Sequence, residues 1–298
     1  MRQYLRKVRL QASGNGGSID INPGGTLLHE LKIGFNITKT LSSTQNEGTI
    51  QIWNLAEGSR NALGKELDDV TLEAGYFPPE GGGNVGIIFK GQIRDIEHRR
   101  EGPDIITTLS CGEGDKAFRY ATIAKTYEKG TSVETVVEDI YKQLESEGIT
   151  RGEWKFPDEM PPFKRPYTVC GGCKREMDLL SRGRDFYWSV QNNAMEVIPG
   201  DGYIGGVVIL SADTGLIDAP TITDNGVKAR ALLNPEIRPN RRVRIQSQVL
   251  EMNAENNEYR VSEVNFSGDN RSGDFVVSIV GEAIKGSKVD EGTWKDPQ

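Results

Sequence analysis

The chain has 298 residues, which allows two domains or one elaborated domain. Charged residues make up 27% of it and hydrophobic residues 36%, and without blocks of like charge this composition favours a globular chain over a disordered one. No stretch approaches ~18 consecutive apolar residues, which excludes a transmembrane helix and predicts no membrane insertion. The formal net charge of -7 argues against a protein that holds nucleic acid by neutralising phosphates.

The N-terminus and the cysteines bear on where the protein is made. Residues 1–10 alternate basic and apolar side chains and lack the apolar core and cleavage site of a signal peptide, which predicts a strand. Three cysteines cannot all pair, and Cys170 and Cys173 are the only close pair. This usage indicates a reducing compartment, so we expect synthesis in the cytoplasm. The chain has only two histidines, His29 and His98, which weakens any mechanism that needs a histidine base or a histidine-rich metal site.

Short segments of alternating apolar and polar residues dominate residues 1–112. Alternation with the period of a half-buried strand runs along residues 70–76 and 105–111. Glycine-rich and asparagine-rich turns separate the segments, as is typical of a sandwich or barrel. The sequence therefore predicts a first, tube-like β-barrel domain over residues 1–112. Further candidate strands lie at residues 7–13, 31–38, 48–55 and 87–96.

The pattern changes to a mixed α+β insert over residues 113–204. Thr131-x-x-Glu134 has the spacing of a capping box, and the apolar residues behind it recur with helical period, which predicts an amphipathic helix near 131–147 that ends by Gly148. A second short helix is predicted over 174–181. A hairpin should follow, with strands at 185–191 and 194–199 joined at Asn192-Asn193.

Strand character returns over residues 205–284, which predicts a second β-barrel domain. Val243 and Ile245 alternate with Arg242 and Arg244, so we place the two apolar residues on the core face of a strand. The polar residues 285–298 form a loose C-terminal tail in this interpretation. The fold class is thus mainly β, with two tube-like barrels flanking a mixed helical and hairpin region.

Two predicted hairpins resemble each other across this insert. Ile93-Arg-Asp-Ile96, a polar loop and residues 105–111 match Val261-Ser-Glu-Val264, a polar loop and residues 275–281 in length and pattern. Such a match indicates either internal duplication or the chance likeness of two β-rich segments, and the sequence does not distinguish them.

Few residues suggest a catalytic, redox or metal-binding role. Cys170 and Cys173 could be a redox pair at a helix start, but a thioredoxin-like context and two further zinc ligands are lacking, so we interpret them as packing residues. The acidic groups 66–69 and 158–159 allow a glycosidase pair by number alone, and a solvated surface is the simpler interpretation. We predict no catalytic, cofactor-binding or metal-binding residue and no cofactor.

Three other features have structural alternatives. The glycine-rich stretches 14–17 and 81–84 lack the lysine and helix of a phosphate loop, so they are interpreted as turns. The basic stretch 238–244 could meet an acidic partner or phosphate, or it could be a guarded edge or a solvated face. Trp53 is interpreted as a core residue.

Several sequence segments, taken in chain order, resemble the baseplate hub proteins of tailed bacteriophages of the contractile type and the related hub portion of type VI secretion spikes. The resemblance spans about residues 5–284. The segments that carry it are Gly48-Thr-Ile-Gln-Ile-Trp-Asn-Leu-Ala56 with Ser59-Arg60, Val70-Thr-Leu-Glu-Ala-Gly-Tyr76, Ile88-Phe-Lys-Gly-Gln-Ile93, Thr214-Gly-Leu-Ile-Asp-Ala-Pro220, Ala231-Leu-Leu-Asn-Pro-Glu-Ile237 and Val264-Asn-Phe-Ser-Gly-Asp269.

The resemblance implies a structural protein and not an enzyme. Such hubs carry two tube-like barrels per chain, so that a homotrimer offers six similar barrels and joins the six-fold tail tube to the three-fold central spike. It also implies contacts with tail tube or distal tail proteins, the spike and other baseplate proteins, a place at the virion tail tip, and passage of DNA through the channel at genome ejection without specific binding.

Two alternatives remain at the level of sequence. One is the hub of a pyocin-like or type VI injection machine, which would share the architecture. The other, of a different class, is a hydrolase of cell-wall glycan, which would need a buried and catalytically spaced pair of carboxyl groups.

Overall fold

The computed structural model describes residues 5–23, 30–77, 83–224, 226–247 and 252–284. The predicted tail 285–298, the turn residues 81 and 82, and His29 lie outside the described residues. Four helices are α1 Glu57–Ala62, α2 Asp115–Tyr120, α3 Val133–Ser146 and α4 Cys173–Ser181. The strands are β1 Arg6–Gly14, β2 Gly17–Ile21, β3 Ile33–Thr40, β4 Glu47–Trp53, β5 Asp69–Tyr76, β6 Gly86–Glu101, β7 Asp104–Gly112, β8 Thr122–Tyr127, β9 Thr150–Trp154, β10 Tyr167–Gly172, β11 Phe186–Gln191, β12 Ala194–Pro199, β13 Val207–Leu210, β14 Thr221–Thr223, β15 Gly226–Leu232, β16 Arg242–Ile245, β17 Glu258–Asp269 and β18 Phe275–Ala283.

Helix α3 forms where the apolar periodicity predicted it, but its cap differs. Ser132, not Thr131, is the N-cap residue, and its Oγ accepts a hydrogen bond from the Thr135 N–H at 3.2 Å. Thr131 instead donates its hydroxyl to the Glu128 carbonyl, because it belongs to the turn that precedes the helix. The buried face of α3 consists of Val133, Val136, Val137, Ile140, Tyr141 and Leu144.

The hairpin of β11 and β12 is confirmed at its predicted turn. Asn192 and Asn193 both have positive φ, 52° and 63°, which a tight two-residue hairpin turn requires and which asparagine tolerates. Strand β9 adds to β12 in parallel, and β8 pairs with β10 in a separate two-stranded sheet. These elements and α2, α3 and α4 bury a core of their own around Met177, Leu180 and Trp188.

The other thirteen strands form one continuous sheet. Its order is β14-β15-β18-β17-β3-β4-β7-β6-β5-β1-β2, with β16 beside β17 and β13 beside β16. The inward-facing residues of strands from both ends of the chain share one apolar core. Val243 and Ile245 are fully buried in it, as predicted.

The described strands form no closed barrel, so the two tube-like barrels stay a prediction. The reason lies in β17, which pairs with β18, β16 and β3. Its pairing with β3 joins strands of residues 205–284 to strands of residues 1–112 in one sheet. Strands β2, β8, β9 and β10 and helices α1 and α2 were not predicted from the sequence, and each is only five or six residues long.

Candidate assembly surface

The duplicated hairpin is visible as a repeated irregularity in strand pairing. In β6 and β7, Ile93 pairs with Cys111 and Asp95 with Ser110, which leaves Arg94 as an extra residue. In β17 and β18, Val261 pairs with Gly281 and Glu263 with Val280, which leaves Ser262 as an extra residue. A bulge bends its strand. Accordingly, β6 pairs with β5 only before its bulge, and β17 pairs with β16 only before its bulge.

The repeat extends to four strands. We call β3, β4, β7 and β6 the first unit and β14, β15, β18 and β17 the second unit; the sheet order places them side by side. Rows of paired residues cross both units in the same way. The row Ile37, Gly48, Cys111, Ile93 of the first unit matches the row Ile222, Val227, Gly281, Val261 of the second.

The two units join along one edge. Beyond its bulge, β17 pairs antiparallel with β3, so that Phe266 lies opposite Ile37 and Asn265 opposite Thr38. Phe266 and Ile37 are buried on the core face. On the opposite face, the Asn265 amide donates to the Asn36 Oδ1 at 2.7 Å and to the Thr38 hydroxyl at 3.0 Å.

Aromatic side chains reinforce this join beneath the sheet. The Phe275 ring meets the rings of Tyr76 and Phe35 edge-on, with centroids 5.3 Å and 5.7 Å away. The Tyr76 hydroxyl donates to the Phe275 carbonyl at 3.1 Å, and burial raises the pKa of Tyr76. Arg6 lies against the same ring and donates to the Ser272 and Gly273 carbonyls. The two units therefore share both a sheet and a core.

The corresponding outer edges lack a partner within the described residues. Beyond its bulge, β6 runs from Asp95 to Glu101 and pairs only with β7 there. Strand β14 pairs only with β15. Near this second edge, Ile217 and Ile222 are 42% and 36% exposed, whereas Ile37, the counterpart of Ile222, is fully buried. These edges are the candidate assembly surface, since unpaired strands are templates for a further chain.

A buried ion pair ties the sheet to the insert. Lys39 Nζ lies 2.7 Å from Glu113 Oε1, and both side chains are almost wholly buried. Asn46 and the Asn192 backbone N–H donate to Glu113 Oε2 at 2.8 Å and 2.9 Å. Lys39 also donates to the Asn192 side chain. Burial lowers the pKa of Lys39, and the surrounding acceptors hold its ammonium group in place.

Three of the four arginines in the basic stretch 238–244 lie close to carboxylates of the same chain, and Arg238 donates to the Pro235 carbonyl. Arg242 and Arg244 both bind the Glu258 carboxylate, at 3.0 Å and 2.5 Å, and Arg241 lies 3.7 Å from Glu196. Burial raises the pKa of Glu196, whose Oε2 accepts from Asn240 at 2.9 Å. The stretch is thus a set of internal contacts, which favours the structural alternative over a phosphate site.

The cysteine pair is split between two environments. Cys170 is exposed on β10, and Cys173 is buried at the first position of α4. Burial raises the pKa of Cys173 to about 11 and that of Cys111 to about 12, so neither is a ready thiolate near neutral pH. Among the described residues, no three His, Cys, Asp or Glu side chains lie together as a metal site would need.

The remaining candidates lie at the surface. Glu66, Asp158 and Glu159 are exposed, while Lys116 lies 3.2 Å from Asp68, which suits a solvated acidic surface.

Trp53 was predicted in the core, but it is only half-buried. It lies on the polar face of β4, opposite the buried Ile50 and Ile52, with Lys32 Nζ 4.4 Å from its ring centroid.

The family model that matches the chain is that of the baseplate hub gp41, over residues 18–281. The chain belongs to this family. The resemblance of the sequence segments is thereby confirmed, and the chain is a phage tail protein of the baseplate hub type. A search of curated proteins gives no match.

Solved structures of tail proteins share the fold of this hub family member. The 43 kDa tail protein of prophage MuSo2 from Shewanella oneidensis has a TM-score of 0.60 at 12% identity, covering 94% of this chain and 99% of its own. A tail protein from Neisseria meningitidis MC58 has 0.61 at 8%, covering 94% and 97%. The E. coli c3393 protein, a type VI secretion component described as similar to T4 tail proteins gp27 and gp5, has 0.54 at 14%, covering 85% and 73%.

None of the helices in the described part of the chain is both long and apolar enough to cross a bilayer.

Proposed function

We propose that this protein is the structural hub of a phage baseplate, and that three copies form a ring that joins the six-fold tail tube to the three-fold central spike. The observation that carries the proposal is the internal repeat. Each chain places two similar four-stranded units side by side, so three chains present six similar units around one axis.

This arrangement addresses a mismatch of symmetry. A closed ring of three chains has three-fold symmetry, which suits a trimeric spike, while its six units approximate six-fold symmetry towards the tube. In this proposal residues 1–112 and 205–284 are two tube-like domains, and residues 113–204 are an insert between them. Tail tube or distal tail proteins bind one side of the ring, and the spike and other baseplate proteins bind the other.

The ring also leaves a channel for the genome during ejection. The formal net charge of -7 opposes lasting contact with the phosphates of DNA, and three of the four arginines in the stretch 238–244 lie close to carboxylates of the same chain. DNA in transit is therefore not bound specifically. The protein acts at the virion tail tip after synthesis in the host cytoplasm, and its task needs no chemical step.

A second candidate is the hub of a pyocin-like or type VI injection machine. The fold shared with a type VI secretion component supports it. The two candidates differ in what lies above the ring: a phage tail leads to a capsid filled with DNA, whereas the injection machines lack one.

The test is electron cryomicroscopy of particles that contain the protein. The phage proposal expects three copies at the tail tip, between tube and spike, with the two units of each chain alternating around the channel. A different copy number, or a position away from the axis, contradicts the hub role. Tips without a DNA-filled capsid favour the injection machine.

A further inference from the structure

One part of the insert carries an excess of positive charge in a chain whose net charge is negative. Residues 160–184 contain six lysine and arginine residues but only two acidic ones, whereas the whole chain has 36 basic and 43 acidic residues. Of the two carboxylates, Glu176 is buried, and Asp178 binds Lys174 Nζ at 3.0 Å and accepts from the Trp188 indole. The positive charge of this segment therefore stays uncompensated at the surface.

Two of these arginines flank an exposed leucine on one face of α4. Arg175, Leu179 and Arg182 are spaced by four and then three residues, which places side chains on the same side of a helix. All three are exposed, Leu179 at 43%, while Met177 and Leu180 on the other side of α4 pack into the core of the insert. Within the described residues, neither arginine has an ion-pair partner.

Further basic side chains lie at the C-terminal end of the same helix. Arg184 Nη1 donates to the Leu180 carbonyl at 2.9 Å, and the Arg184 guanidinium lies 5.0 Å from the centroid of the Phe163 ring. Phe163 therefore brings the adjacent, exposed Lys164 and Arg165 to this end of α4. In the part of the chain that the structure describes, these two residues also lack an ion-pair partner.

We propose that these exposed residues form a docking surface for an acidic amphipathic helix of another protein. We call the surface the basic patch; it consists of Lys164, Arg165, Arg175, Leu179 and Arg182. The inference goes beyond the proposed hub function, because the patch lies on the insert and includes no strand of the large sheet. Its four positive charges call for an anionic partner.

The exposed leucine identifies that partner as a protein segment. A phosphate polymer supplies negative charge but no apolar group for Leu179 at the centre of the patch. An acidic helix supplies both, because an apolar side chain against Leu179 has carboxylates three and four residues away on the same face, opposite Arg175 and Arg182. Arginine also binds a carboxylate through two parallel hydrogen bonds, and covering Leu179 removes apolar surface from water.

Binding of a synthetic helix to the full chain tests this surface. The probe is a fluorescent, alanine-rich peptide of about 20 residues, a length at which such sequences are helical, with a central leucine and glutamates three and four residues to either side of it. Three matched peptides replace the glutamates by glutamines, the glutamates by lysines, or the leucine by alanine. Fluorescence anisotropy measures each Kd at low salt, where exposed charges act most strongly.

Two double variants of the protein are compared with wild type. Arg175→Glu with Arg182→Glu reverses the charge of the patch. Lys90→Glu with Lys228→Glu is the control, because both lysines are exposed on the large sheet and the change in net charge is the same.

The proposal expects the glutamate peptide to bind wild type, and reversal of the two patch arginines to raise its Kd about tenfold or more, whereas the control pair changes it less than about twofold. The glutamine and alanine peptides should bind wild type more weakly than the glutamate peptide. The lysine peptide should bind the patch variant but not wild type, a reversal of preference that loss of folding cannot produce.

Several outcomes overturn the proposal. Equal weakening by both double variants means that binding follows net charge alone, and equal binding of the leucine and alanine peptides removes the apolar contact. A labelled DNA duplex of about 20 base pairs that binds more tightly than the peptide, through the same arginines, makes the patch a phosphate-binding surface.

Self-association by native mass spectrometry that disappears in the patch variant identifies the occupant as a second copy and not another protein. If no probe binds, the basic patch is a solvated surface. None of these results bears on copy number at the tail tip, so the hub function stands or fails separately.

Discussion

Lys39 and Glu113 form an ion pair of 2.7 Å between side chains that are 1% and 0% exposed. Lys39 belongs to β3, and Glu113 follows β7, while the acceptors and donors around them come from Asn46 and the turn at Asn192. The pair thus connects the first unit of the sheet to the hairpin of the insert, and it sets the position of the insert on the sheet.

Glu113→Gln is expected to destabilise the protein strongly. The change leaves the Lys39 ammonium buried without its counter-charge, and breaking a buried pair in this way costs about 3–5 kcal/mol. The control is Glu47→Gln, because Glu47 pairs with Arg94 at 2.8 Å but its side chain is 66% exposed, so the loss should stay below about 1 kcal/mol. Urea unfolding of both variants measures the difference. Equal losses would mean that the buried pair has no special role.

The period of the strands could have predicted Lys39 as a buried residue. Ile33, Phe35, Ile37 and Lys39 alternate along β3, and all four face inward. The partner could not be predicted, because Glu113 lies 74 residues further along the chain than Lys39 and only the tertiary fold brings them together. The same limit applies to the join of β17 and β3: the sequence predicted both hairpins, but it contains no local signal for which strand edges meet.

Local signals predicted the insert better than its caps. Helical period located α3, and the asparagine pair located the turn between β11 and β12. The N-cap was placed one residue too early, because Thr131 and Ser132 are both good caps and only the hydrogen bonds distinguish them. The short strands β2, β8, β9 and β10 have too few residues for a clear alternation.

Asp139 should make the stability of the insert depend on acid pH. Hydrogen bonds from Lys125, Lys142 and Tyr127 hold its pKa below the usual range. A carboxyl group with a lowered native pKa contributes stability above its unfolded pKa, about 3.9, and loses it as the pH falls through the native value. Asp139→Asn should therefore unfold in less urea than wild type at pH 7, and the two should converge as the pH falls below that range.

Asp158→Asn is the control for this pH dependence, since Asp158 is an exposed carboxylate of the same insert. Its urea midpoint should follow wild type at every pH. A gap between Asp139→Asn and wild type that stays constant on acidification would show that the carboxylate charge is not responsible.

Replacing Cys170 and Cys173 together by serine should leave assembly intact. Cys170 is exposed, so Cys170→Ser alone should change the unfolding free energy little. Cys173 packs against the core of the insert, so the double variant should lose a modest amount of stability because a hydroxyl replaces a buried thiol. Metal analysis of the purified wild type completes the test. Stoichiometric zinc, or unfolding by a chelator, would contradict the interpretation of both residues as packing residues.

Val243→Asp combined with Ile245→Asp should prevent tail assembly. Both side chains are fully buried in the shared core, and each unpaired carboxylate buried there costs several kcal/mol, comparable to the ~5–15 kcal/mol that holds a domain together. Tails should be absent or lack their tips in electron micrographs. Ile209→Asp is the control for folding, because Ile209 lies on the adjacent strand β13 but is 42% exposed, so its purified protein should unfold at nearly the wild-type urea concentration.

If contacts alone determine the phenotype, substitutions of exposed carboxylates such as Glu66→Ala and Asp158→Ala should leave infectivity unchanged, since no chemical step depends on them. Normal particles carrying both core substitutions would contradict the structural role. Degradation of peptidoglycan by the purified wild-type protein, abolished by a single carboxylate substitution, would support a hydrolase instead.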